Sequence, residues 1–240
     1  MGEGRARGKT GERVAMVRLL VHVEGQTEEN FVNELLGEHL MASGYHDVRA
    51  RLAGNPRKQR GGVRSWDGVK RDILAHLKED RAAINAVMVD YYALPQDWPG
   101  RAKSPSMNST SGKAEYVEAG LLAEISKEMG SRFDPNRFVP LVVMHEFEAL
   151  LFSDPVRFAQ GIERRDLAAR FLAIRQEFES PEDINDSADT APSKRIVGLF
   201  PGYQKQLFGP LAAIEIGLSS IRMECPHFNR WLERLESLAE

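Results

Sequence analysis

Apolar residues follow two rhythms along this chain, and the switches between them mark its elements. Val17 to Val23 is an apolar run broken only by Arg18 and His22, the pattern of a strand buried in a sheet. Glu28 to Met41 then spaces its apolar positions as an amphipathic helix does. Val48 to Ala53 predicts a short second strand, and Trp66 to Arg81, with Val69, Ile73, Leu74 and Leu77, a second helix. Ala86-Val87-Met88-Val89 reads as a third strand ending at Asp90, followed by a helix over Lys113 to Met129. Phe138 to Met144 gives a fourth strand, whose Pro140 favours its beginning or a sheet edge. Strand, crossover helix and strand repeat, so the expected architecture is α/β with a mostly parallel sheet flanked by helices.

Beyond Ala149 the pattern becomes helices and turns. Arg164 to Glu179, Pro210 to Gly217 and His227 to Leu238 read as helical, while Ser180 to Ser193 is rich in acidic and turn-forming residues. No linker separates this part from the fourth strand, so residues 14–152 are expected to form the α/β core and residues 153–240 a helical C-terminal extension packed on it. The first thirteen residues, rich in Gly and Arg, read as a disordered tail. The polar segment Leu94 to Gly112 is long for a connector and reads as a lid or binding loop.

Composition narrows the function classes. A 240-residue chain with 42% hydrophobic residues can bury one sizeable core. No apolar stretch is long enough to span a bilayer and no hydrophobic signal region opens the chain, which predicts a cytoplasmic protein without a membrane partner. The single cysteine, Cys225, excludes an internal disulfide and leaves oxygen or histidine ligands for any metal. Net charge is only −3, but Arg49, Arg51, Arg57, Lys58, Arg60, Arg64, Lys70 and Arg71 face only Asp67 as an opposing charge in their stretch. The glycine-rich basic loop from Gly54 to Gly62 could follow a phosphate backbone, or could be a solvated face.

Candidate chemistry sits at the strand ends. Glu24 follows the first strand, in Val23-Glu24-Gly25-Gln26-Thr27, and Glu28 and Glu29 open the helix beyond it. Thr27 as a helix cap, with Glu28 and Glu29 favouring the positive first turn, would account for Glu29 but not for Glu24. Asp90 ends the third strand, and His145-Glu146-Phe147-Glu148 follows the fourth. Carboxylates gathered at the C-terminal edge of an open α/β sheet suit a hard divalent cation such as Mg2+ or Mn2+. Glu146 and Glu148 face one side only if the chain stays extended there; a helix starting at Glu146 would point just one of them inward. His145 could orient water or a phosphate, or cap the strand. Tyr91 and Tyr92 suit core or base-stacking roles, and Cys225 a structural one.

These residues resemble the Toprim domain, in particular the Toprim-type nucleases of the overcoming-lysogenization-defect family. More specifically, Val-Glu-Gly-Gln-Thr-Glu-Glu, Asp-Tyr-Tyr-Ala-Leu-Pro, His-Glu-Phe-Glu-Ala-Leu-Leu-Phe and Ala-Pro-Ser-Lys-Arg-Ile look like a bacterial family called domain of unknown function 4276, from Val17 to Leu238. The resemblance implies a Toprim-like fold and a metal-dependent nuclease. Glu24 and Asp90 would be central ligands of Mg2+ or Mn2+, with Glu28, Glu146 and Glu148 around them, and Lys194 would stand near the phosphate unless it is an ordinary surface lysine. The pattern departs at one place, since Tyr92 stands where Toprim domains carry a second acid. Asp97 could replace that acid or be a turn aspartate, and the turn is preferred.

The resulting expectation is a nuclease acting on DNA or RNA, with Glu24, Asp90, Lys194 and His145 as catalytic residues. Arg57, Lys58, Arg60 and Arg64 would hold the nucleic acid. The resemblance adds a place in prokaryotic anti-phage defence or a mobile element, beside a separate ABC-type ATPase, since this chain has no phosphate-loop motif of its own. Two other expectations stand beside it: a degenerate module that docks the ATPase or nucleic acid without cutting, and phosphoryl transfer on a small substrate. Oligomeric state is not legible.

Overall fold

The computed structural model describes residues 16–53, 65–184 and 190–239. The glycine-rich basic loop with Arg57, Lys58, Arg60 and Arg64, and the first thirteen residues, lie outside the described residues. The fold is α/β. Strands β1 (Arg18–Val23), β2 (Asp47–Leu52), β3 (Ile84–Asp90) and β4 (Phe138–Val143) form a four-stranded sheet in the order β2-β1-β3-β4, and every neighbouring pair is parallel. Central β3 is buried at every position, as burial on both faces demands. Pro140 lies on β4, at the sheet edge, where a missing ladder donor is tolerated.

Alternation along the strands sends side chains to two layers of helix. On one face Val87, Val89 and Val142 pack against α3 (Trp66–Glu79) and α4 (Thr110–Met129). That face also buries His22, whose Nε2 meets Asn85 Oδ1 at 3.1 Å; burial pushes this imidazole down to about 4, so it is neutral. On the other face Leu19, Val21, Val23, Ala86, Met88 and Leu141 join a larger cluster. The helix after β1 runs as α1 (Gln26–Phe31), a π-helical turn at Val32–Leu36 and α2 (Gly37–Ala42).

The C-terminal part supplies the rest of that second layer. A 3-10 helix at Phe147–Ser153 follows β4, then α5 (Pro155–Gly161), α6 (Ala168–Arg175), α7 (Pro192–Leu199), α8 (Lys205–Ile216), α9 (Leu218–Glu224) and α10 (Pro226–Ser237). Phe152, Phe158, Phe171, Phe228 and Leu232 are fully buried in the same cluster as the strand residues. Trp231 Nε1 donates to Val139 O at 3.2 Å, fixing α10 on β4. Among the described residues no helix is long and apolar enough to cross a membrane.

The helix expected from Arg164 is shorter in fact, a 3-10 turn at Arg165–Leu167 followed by α6. The helix expected from Pro210 begins five residues earlier, with Pro210 inside it. The loop expected from Leu94 to Gly112 is a chain of turns with a 3-10 turn at Ser104–Ser106, and α4 begins before its end.

Candidate active site

The strand order reverses direction at β1, which is flanked by β2 on one side and β3 on the other. In open α/β sheets the crevice at such a switch point, beyond the strands' C-terminal ends, is where ligands gather. Glu24 follows β1 there and Asp90 ends β3 beside it. Gly25, extended at φ −146° and ψ −179°, is the N-cap of α1; Thr27 does not fill that role. Glu28 lies in the first turn of α1 and folds back over Gly25, where a Cβ would come 3.1 Å from Glu28 Oε2. Absence of a side chain at residue 25 thus lets the Glu28 carboxylate reach the strand tips.

Glu148 arrives from the 3-10 helix after β4. Glu146 is extended and the helical turn begins at Phe147, so the two acids diverge. Asp90 Oδ1 accepts the Phe147 N–H at 2.9 Å, tying the β3 tip to this turn. The Phe31 and Phe147 rings meet edge to face, centroids 5.2 Å apart, and brace α1 against the same turn.

Glu28, Asp90 and Glu148 surround one cation that the sequence pattern had not singled out. Lys205 Nζ lies 3.3 Å from Glu28 Oε1, 3.3 Å from Asp90 Oδ2 and 3.1 Å from Glu148 Oε2. Lys205 is the first residue of α8, and a lysine at a helix N-terminus faces the positive end of the dipole. The carboxylates, not the helix, hold it there. Gly209, one turn on, permits the close approach: a Cβ on it would fall 2.8 Å from Thr27 Cγ2.

Three carboxylates therefore share one ammonium, with Glu24 within reach of its field, and the titration of the cluster reflects the imbalance. Burial, then the Glu28 charge, pushes Glu24 up to about 7, against the pull of Lys205 and a hydrogen bond from the Asp90 backbone. Burial also holds Asp90 and Glu148 above the usual carboxylate range, with Lys205 opposing it. Burial works against the charge on Lys205, yet Asp90, Glu148 and Glu28 outweigh it and hold its pKa well above the ordinary lysine value.

The donor set can be tested against a hard divalent cation. Its donors are carboxylate oxygens, the class Mg2+ and Mn2+ select, and Glu24 Oε2 and Glu148 Oε1 are buried without a hydrogen-bond partner. In chemistry the residues fit. In their present positions, among the described residues, no group of three or more His, Cys, Asp or Glu side chains would hold a metal ion. Lys205 stands in the middle of them.

The other predicted residues have different positions. Glu146 Oε2 accepts the Ser193 N–H at 2.9 Å at the start of α7, and Glu146 is not among the acids that contact Lys205. Lys194 is exposed on α7, and the lysine among the acids is Lys205. His145 is buried beyond β4 and its carbonyl accepts the Tyr92 N–H at 2.9 Å. Asp97 Oδ2 accepts the Trp66 N–H at the start of α3, in agreement with a structural role in its loop. Tyr91 is a core residue, its hydroxyl 2.9 Å from Ser104 Oγ, while Tyr92 is exposed. Cys225 is buried 3.3 Å from Ser153 Oγ, and burial pushes its thiol pKa up, as a structural cysteine requires.

Tyr203 joins the site without having been foreseen. Its hydroxyl is buried without a hydrogen-bond partner, and burial followed by the Glu148 charge raises its pKa. The signal for both residues lay in Tyr203-Gln204-Lys205, where a lysine opens a helix against the dipole.

A family model described as Domain of unknown function (DUF4276) matches residues 23–236. No curated protein and no solved structure matches the chain.

Proposed function

The chain belongs to the family described as Domain of unknown function (DUF4276), and from its site we propose a divalent-metal-dependent nuclease on a Toprim-like scaffold that cleaves phosphodiester bonds of DNA or RNA. One observation carries this reading. Glu24, Glu28, Asp90 and Glu148 meet at the switch point of the sheet around a single ammonium, an excess of buried negative charge that costs stability and suits a cation-dependent reaction.

Glu24, Glu28, Asp90 and Glu148 would hold Mg2+ or Mn2+, which when bound polarises a phosphate and lowers the pKa of an attacking water. This chain's own residues do the remainder. Glu24 Oε2, buried without a hydrogen-bond partner, is suited to accept a proton from that water. Lys205 supplies positive charge against the phosphate oxygens as negative charge develops on them. Asp90 is kept in position by the Phe147 N–H.

Nucleic acid would approach over the β2 side of the sheet. Leu52, the last residue of β2, pairs with Val23 beside Glu24, and the segment carrying Arg57, Lys58, Arg60 and Arg64 follows it in the chain. A cytoplasmic location, an anti-phage or mobile-element role and a separate ABC-type ATPase belong to this same proposal. The second reading, a module that binds without cutting, draws on Tyr92 in place of a second acid and on the ammonium at the centre of the cluster.

The deciding experiment incubates the purified chain with supercoiled plasmid and with single-stranded RNA, in Mg2+, Mn2+ or EDTA, beside Asp90→Asn. Metal-dependent cleavage lost in the variant is expected. Nucleic-acid binding without cleavage, in the presence of the candidate ATPase as well as alone, would favour the second reading.

A further inference from the structure

Lys205 occupies the space that a cation shared by the acids would need. Its Nζ lies within 3.3 Å of one oxygen from each of Glu28, Asp90 and Glu148, which come from α1, β3 and the 3-10 helix after β4. An Mg2+ ion held by those oxygens would need contacts of about 2.0–2.1 Å, so the acids would have to close on the space that the ammonium now fills. Two cations cannot share that point. Either the ammonium leaves or the ion does not enter.

The rest of the helix allows the ammonium to leave. Lys205 is the terminal residue of α8, its side chain is 37% exposed along its length, and Gln204 before it is already non-helical. Movement of this side chain breaks no apolar packing of α8, whose buried residues begin at Gly209. Apart from the carboxylates, only the Phe147 ring, its centroid 5.9 Å from Nζ, is seen among the described residues to favour the ammonium here, and the helix dipole repels it.

We propose that Lys205 is an internal counter-ion that a divalent cation must displace, so that metal loading and release of this lysine are one exchange. The inference rests on the reading of the acid cluster as a metal site. Without metal the ammonium offsets part of the repulsion among buried Glu28, Asp90 and Glu148 and half-buried Glu24. With metal bound, the freed ammonium stands at the rim of the site, available to a phosphate. Metal binding is accordingly weaker than the four acids alone would give, and the lysine changes its exposure when the ion enters.

Amine labelling of the full chain tests this directly. A brief acetic anhydride pulse, read by peptide mass spectrometry, is applied in EDTA and in saturating Mn2+, with exposed Lys194 as the internal reference. Labelling of Lys205 is expected to be slow in EDTA and several-fold faster in Mn2+, with Lys194 unchanged. Calorimetric titration of Mn2+ into Lys205→Met should give a Kd about tenfold tighter than that of the unaltered chain, the scale of one partly screened charge interaction. Lys205 remaining slow to label at saturating Mn2+, or a variant binding Mn2+ no tighter, overturns the exchange while leaving the metal site standing. Absence of Mn2+ binding in both proteins overturns the metal site and the exchange with it. Should the variant fail to fold, labelling of the unaltered chain decides alone.

Discussion

At the N-terminal end of the sheet, charges have partners of their own. Arg137, ahead of β4, donates to the carbonyls of Ala83 at 3.2 Å, Leu77 at 2.9 Å and Asp80 at 2.6 Å, and Arg18 pairs with Asp80 at 2.6 Å. At the C-terminal end Glu28, Asp90 and Glu148 share Lys205, and Glu24 adds a fourth carboxylate beside them. The first arrangement satisfies orphan carbonyls where α3 ends and β3 begins, and it stabilises the fold. The second leaves like charges in a buried place and does the opposite. One sheet therefore separates its stabilising electrostatics from its candidate chemistry by the length of its strands.

Substitution at the two ends should have opposite consequences. Asp90→Asn keeps an acceptor for the Phe147 N–H, so the melting temperature should hold or rise. Cleavage should fall by about 10²–10³, the cost of deleting one preorganised charge in an active site, in a plasmid-nicking assay. Arg137→Ala should do the reverse. Three carbonyls lose their donor, which costs about 2–3 kcal/mol in urea unfolding, while Mn2+ affinity stays the same. A loss of stability in Asp90→Asn as large as that in Arg137→Ala would remove the distinction between the ends.

Legibility in the sequence follows the same division. The strands were readable because burial on both faces makes β1, β3 and β4 near-continuous apolar runs, and Glu24, Asp90 and Glu148 were readable because they follow those runs directly. Lys205 was not. The proline at 210 reads as a helix start, which truncates α8 by the turn that carries the lysine, whereas the helix accommodates Pro210 inside it. The local phrase around Lys194 could not point to Lys205, because which lysine meets the acids is settled by how α8 packs on α1 through Gly209 and Thr27. The short helices α5, α7 and α9 escaped for a related reason: seven or eight residues are too few for a clear apolar period. Glu146 looked equivalent to Glu148 until the 3-10 turn at Phe147 separated them.

Smaller effects sharpen the contrast. Glu148→Gln removes a buried carboxylate whose burial is only partly offset by Lys205, and should stabilise the metal-free protein by about 1 kcal/mol in thermal melts. The pH dependence has a defined sign. Glu24, Asp90 and Glu148 have folded pKa values above the ordinary carboxylate range, so the stability they contribute is full below their unfolded values and is lost as pH rises through the folded ones. For Glu24 the window runs from 4.5 to about 7. Melts of the metal-free chain across that window should show this loss, and Glu24→Gln should flatten the slope. A slope untouched by the substitution would mean that Glu24 is not the group titrating there.

The smallest effect belongs to one of the two shortest of these contacts. Arg18 and Asp80 pair at 2.6 Å, closer than any carboxylate approaches Lys205, but their side chains are 51% and 28% exposed. Water and salt screen that attraction, and ordering an exposed arginine has its own entropic cost. Arg18→Ala should therefore change stability by no more than about 0.5 kcal/mol, and the change should vanish in high salt. Loss of charge at Lys205 should remain visible at the same salt concentration, because its partners are buried and weakly screened. If Arg18→Ala proved as costly as Arg137→Ala, distance rather than burial would govern the electrostatics of this protein, and the excess charge at the opposite end would lose its significance.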